Sequence, residues 1–266
     1  MIVAYFRAYQ RHIISNMPTF IRIILSLTFF LFSTQLFAQV VGGMNYKLEK
    51  LFMEEKYEDV AYKGMNMIED DKYSKDPEIY MYIAMAWYEI SQMNDEKMQA
   101  EYPKALADAM KYASKIIKKD KEGTWYDDNA DFFEDLKKAG IADAAQWLSD
   151  EKKMRNAVTA YKNMTKAIPE DYNLLFFKGV LEQINRNTGQ AERDITDAMK
   201  GLVVKYADPK YKSSKASGPV LEDGLLRWTD IMMQQNYADS AKKTIGWGLK
   251  FFPESEKIKA KAATLK

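Results

Sequence analysis

Histidine and cysteine carry much of side-chain catalysis and transition-metal binding near neutral pH, and this sequence is almost without them. Its one histidine is His12, and its 266 residues include no cysteine. Without cysteine there is no disulfide, no thiol nucleophile and no lipid anchor on a processed cysteine, so stability must come from packing. Adjacent carboxylates remain at Glu69-Asp70-Asp71, Asp127-Asp128 and Asp150-Glu151. Helix surfaces and turns carry such acids routinely, so they do not mark an acid–base site. The chain also lacks a glycine-rich phosphate loop and an EF-hand loop. The residue inventory therefore predicts a non-enzymatic protein, with no cofactor and no metal.

Charge argues against nucleic acid. Three of the 39 basic residues, Arg7, Arg11 and Arg22, fall within residues 1–38, which hold no acid. Without that segment, the 38 acids slightly outnumber the bases and the formal charge of +1 becomes −2. Phosphate backbones are bound by clustered Lys and Arg, not by a near-neutral body. The Lys210, Lys212 and Lys215 cluster is read as a solvated loop, with an acidic partner or phospholipid head groups as the alternative.

The N-terminus has the form of an export signal. Arg22 precedes the apolar run Ile23 to Phe32, then come Ser33-Thr34-Gln35 and Leu36-Phe37-Ala38-Gln39. A basic flank, a short apolar run and a small residue predict cleavage near Ala38. The run is short of the roughly 20 residues that span a bilayer and contains hydroxyls, which disfavours a retained anchor. Met17 is a possible true start, since Met17 to Ala38 alone has the ordinary length of such a signal. The mature chain is then expected to be periplasmic or secreted, with no integral membrane span, and to lose its only histidine.

From Tyr46 onward apolar residues recur at three and four, and no strand-like alternation appears. One spacing repeats. Ala157, Tyr161, Met164 and Pro169 stand in one stretch, Gly179, Ala191, Ile195 and Ala198 in a second, and Tyr237, Ser240, Thr244, Gly248 and Pro253 in a third. This pattern resembles the tetratricopeptide repeat, a helix–turn–helix unit of about 34 residues. The resemblance implies an all-α helical-repeat solenoid of about five units over residues 44–266. Its first unit runs 44–76, with a turn at Lys56 to Asp59 and Val60, Gly64 and Met67 on the second helix. The second has Tyr80, Ile83, Ala84 and Trp87, then a stretched connection through Ser91 to Glu96, with Pro103 opening the next helix. Thr124 to Asn129 is read as a connector, and Gly140 as a point where the following helix splits. Residues 185–189 form a turn, 209–219 a loop, and 255–266 a capping helix.

The five tryptophans, Trp87, Trp125, Trp147, Trp228 and Trp247, are read mainly as core, with Trp125 in the connector as the exception. The remaining site residues come from the resemblance. Such repeats line an inner groove with fixed positions of each first helix. Here those are Asn45, Glu49 and Phe52, then Met81, Met85 and Tyr88, then Ala142, Gln146 and Ser149. The fourth unit gives Asn173, Phe176, Val180 and Gln183, and the fifth Leu225, Thr229 and Met232. A groove of this composition is apolar and methionine-rich, suited to a protein or peptide segment. The alternative is that these Met and Phe side chains pack against neighbouring helices. Members of the family that clamp a peptide carboxylate use Lys and Asn where this chain has Asn45 and Glu49, or Met81 and Met85, so that clamp is absent. The expectation is an adaptor for a protein or peptide in the bacterial cell envelope. The alternatives are a structural subunit of an outer-membrane assembly or secretion complex, and a small-solute or glycan binder.

Overall fold

The computed structural model describes residues 45–148 and 153–265. The export-type segment, its boundary at Ala38 and the alternative start at Met17 lie outside the described residues, as does Ser149. Within them the regular structure is entirely α-helical, in thirteen helices. They are α1 (Tyr46–Met53), α2 (Tyr57–Met67), α3 (Pro77–Gln92), α4 (Glu96–Glu101), α5 (Ala105–Lys119), α6 (Thr124–Asp128), α7 (Ala130–Ala145), α8 (Met154–Ala167), α9 (Tyr172–Ile184), α10 (Thr188–Ala207), α11 (Gly218–Gln234), α12 (Ala238–Phe251) and α13 (Glu256–Thr264). None of these is long and apolar enough to cross a membrane.

The longer helices pack as pairs: α1 with α2, α3 with α5, α7 with α8, α9 with α10, and α11 with α12. Successive pairs join through α2 on α3, α8 on α9, and α13 on α12. Two junctions depart from a regular stack. Helix α5 leans on α8 more than on α7, and α11 joins the preceding pair through α9, not through α10. Helix α9 therefore sits at the centre, with Leu174, Phe176, Phe177, Val180 and Leu181 all buried. In the C-terminal part the core joins Phe176 and Val180 to Ala198, Leu202, Leu221, Leu225, Ile245 and Ile258.

Three hairpin turns are built alike. Glu55, Arg186 and Asn236 adopt left-handed backbone, with φ of 57°, 64° and 63°. In each, that residue's N–H bonds to the carbonyl three residues back, and the next N–H to the carbonyl five back of it, as in Lys56 to Leu51, Asn187 to Glu182 and Tyr237 to Met232. This closes the orphan carbonyls of the first helix within one tight turn. The second helix starts two residues after the left-handed residue each time.

Several expected boundaries move. The first turn comes earlier than Lys56 to Asp59, because Tyr57, Glu58 and Asp59 already lie in α2. Thr188 and Gly189, expected in a turn, open α10. Within the expected connector, Thr124 to Asp128 form the short helix α6. The second-unit insertion folds as α4, capped by Asp95, whose side chain accepts N–H bonds from Lys97 and Met98. Pro103 precedes the helix it was expected to open by two residues. Helix α7 is not split at Gly140. A Cβ there would lie 2.4 Å from Met110 Cε and 2.7 Å from Met164 Sδ, so the glycine admits two methionine side chains from α5 and α8.

The loop, observed at 208–217, is not simply solvated. Its lysines are exposed, but its serines reach inward. Asn173 Nδ2 donates to Ser213 Oγ (2.8 Å) and Ser217 Oγ (3.0 Å). The Ser217 hydroxyl donates to Asp171 Oδ2 (2.8 Å), and that of Ser214 to Glu134 Oε1 (2.9 Å). The ammonium of Lys137, on α7, lies 2.8 Å from both Asp171 Oδ2 and Glu134 Oε2. Asp171 also caps α9 through Oδ1 and the Leu174 N–H. One buried network thus ties loop, α7 and α9 together.

Candidate partner-binding groove

Helix α10 is the longest among the described residues, and its second half carries apolar residues on two faces. Leu202 is buried in the core, while Val203 and Val204 are 38% and 72% exposed. An amphipathic helix hides one stripe, so the exposed valines form a second apolar face. The pinned loop then sends α11 back onto α9. This leaves a gap between α10 and α12.

The gap is a groove of about 710 Å³. Ile195, Met199, Val203 and Val204 of α10 form one wall, Ser240, Thr244 and Trp247 of α12 the other, and Phe176, Leu225 and Trp228 the floor. Trp247 is held by stacking on Phe251 (5.8 Å between centroids), which itself stacks on Tyr206 (4.2 Å). Lys200 and Lys243 stand at the rim, and no carboxylate lines the groove. Lys200 is paired with Asp197 at 3.1 Å. The surface offers apolar burial with a positive edge, the chemistry of binding.

The residues expected to line an inner groove are placed differently. Met81, Val180 and Thr229 have no exposed surface, and Phe176, Asn173 and Met232 are also buried. They fill the space between helices, because α9 and α3 are covered on several sides. Of the expected residues, Phe176 and the equally buried Leu225 reach the α10–α12 groove, as floor. Asn173 is committed to the loop network. Gln146 falls beyond the end of α7, as its C-cap, because the first helix of the third unit starts at Ala130 and stops at Ala145. Asn45, Glu49, Phe52, Met85, Tyr88 and Gln183 are part-exposed. Of these, Asn45 bonds through its N–H to Glu78 (3.0 Å), Phe52 packs on Tyr57 (5.2 Å), and Tyr88 on Phe132 (5.8 Å).

The groove residues Ile195, Met199, Val203, Val204, Trp228 and Trp247 were not singled out as a site from sequence. The signal lay in Val203-Val204, two adjacent apolar residues where a single core-facing stripe needs one. Among the described residues no group of three or more His, Cys, Asp or Glu is arranged to hold a metal. No family model matches the chain, nor does any curated protein or solved structure.

Proposed function

We propose that the protein is a tetratricopeptide-like adaptor, exported by its N-terminal segment, that binds a protein segment in the α10–α12 groove. The observation that carries the reading is the groove itself, an apolar trough with two tryptophans and an exposed Val204 between helical walls. An amphipathic helix laid into such a trough buries its apolar stripe, and Met199 can adapt to the occupant. The repeat reading is supported by the five helix pairs and by three turns of one conformation. The inner-face residues expected from the resemblance serve in this reading mainly as the packing between repeats.

The test is in-cell crosslinking of a C-terminally tagged full-length chain, with the captured partners identified by mass spectrometry. Val204→Glu, a change at an exposed position, should remove the protein partners captured by the parent chain while leaving the melting temperature within about 2 °C. If the partners persist at the same occupancy in the variant, the groove is not their binding site.

A further inference from the structure

We propose that the Lys111–Lys115–Lys119 face of α5 is a second docking surface, for an extended acidic peptide segment. It is independent of the α10–α12 groove. Three ammonium groups, one turn apart on α5, converge on two tyrosine rings. Lys111 and Lys115 lie over Tyr112 at 5.1 and 5.0 Å from its centroid. Lys115 and Lys119 lie over Tyr80 at 5.6 and 4.9 Å. The rings are themselves fixed. Tyr80 and Tyr112 are 4% and 6% exposed, and the Tyr80 hydroxyl donates to the Ser74 carbonyl (2.9 Å).

Rings of this kind hold lysine stems in place, so the ammonium groups lose less freedom when a ligand arrives. They are also short of counter-charge. Lys111 has Asp108 at 3.6 Å, while Lys115 and Lys119 have no carboxylate partner among the described residues. The Lys115 ammonium is held below the usual lysine range, first by burial and then by Lys111, Lys119 and Lys118. A ligand bearing negative charge relieves that crowding.

Spacing selects the class of ligand. Four residues of helix rise about 6 Å, and alternate residues of an extended chain lie about 6.6–6.8 Å apart on one side. Carboxylates at every second residue of an extended segment therefore meet the lysine row nearly in register. A single phosphate reaches only part of the row.

The experiment is fluorescence polarisation with the full chain at low salt. The probe is a labelled synthetic peptide of alternating glutamate and serine, compared with one carrying glutamate at every fourth residue. The alternating peptide should bind more tightly, and added salt should weaken it. Lys115→Glu with Lys119→Glu should weaken it by at least about tenfold, while Val204→Glu leaves it unchanged. If the reversed-charge variant does not fold, Lys115→Gln with Lys119→Gln should show the same direction of loss. Equal affinity for the two peptides, no binding at low salt, or no effect of the lysine variants overturns the proposal. Tighter lysine-dependent binding of pyrophosphate or of phosphatidylglycerol vesicles overturns it in favour of a phosphate-bearing ligand.

Discussion

A lysine in a protein core keeps its charge only when it is paired and hydrogen-bonded. Lys137 meets that condition, with Asp171 and Glu134 each 2.8 Å away. Burial pushes the Lys137 ammonium down, but Asp171 and Glu134 outweigh it, and the group sits above the usual lysine range. Burial likewise raises Glu134, but the Lys137 and Ser214 hydrogen bonds bring it below the usual carboxylate range. A lysine raised on folding stabilises below its unfolded value, and that stability is lost as pH rises through the folded value. A carboxylate lowered on folding stabilises above its unfolded value and loses that contribution as pH falls. The network is therefore expected at full strength through the neutral range. Lys137→Met should destabilise at pH 7 by about 3–5 kcal/mol, because Asp171 is left buried and unpaired. It should also lose less further stability than the parent between pH 9 and pH 12. Buried tyrosines add an alkaline loss to both proteins, so the difference between two urea series is the measure, and parallel curves would sink the idea. None of this was legible in the sequence. Lys137, Asp171 and Ser217 are 34 and 46 residues apart in successive steps, and a local pattern carries no sign of such a meeting. The inner-groove residues failed for a related reason. Periodicity tells which face of α9 is apolar, but not that Phe176, Val180 and Asn173 are all buried, Asn173 under the 208–217 loop.

Helices were the most legible level, because each is set by local spacing. Pro77 after Asp76 starts α3, as the sequence indicated, with the Asp76 side chain accepting the Glu78 N–H. The misplacements at Tyr57 and Thr188 share a physical cause. Both follow a left-handed residue that is not glycine, Glu55 in one turn and Arg186 in the other, so the usual helix-end signal was missing. Left-handed backbone costs a side chain bearing Cβ about 1–2 kcal/mol, less for Asn, while glycine adopts it freely at some cost in unfolded-chain entropy. Glu55→Gly and Arg186→Gly should therefore each stabilise the fold by about 0.5–1 kcal/mol. Asn236→Gly should change it little. Thermal unfolding of the three variants beside the parent checks this, and a loss for Arg186→Gly would mean that its side chain contributes more than its backbone costs.

At the scale of the whole chain, the question is how the helices on either side of α8 communicate. Helix α8 packs on α5 and α7 before it and on α9 after it, and the Lys137–Asp171 contact spans the same boundary. Stability in a stacked array is roughly a sum of unit and neighbour terms, so a weakened junction uncouples what lies on each side. Tyr161 is the side chain to test. It is 1% exposed and meets Phe177 of α9 at 4.9 Å between ring centroids. Truncation to alanine removes a large buried ring from the junction and leaves the apolar cores on each side intact. Tyr161→Ala should cost about 3–5 kcal/mol and broaden unfolding, with the calorimetric enthalpy exceeding the van't Hoff value. Tyr161→Phe keeps the ring and should retain the parent's cooperativity. Hydrogen exchange gives the direction of failure. Helices α9 to α12, which share one core, should exchange as one group and separately from α2, α3 and α5. If both groups still open together in Tyr161→Ala, the Lys137 network is sufficient to couple them, and adding Lys137→Met should then separate them.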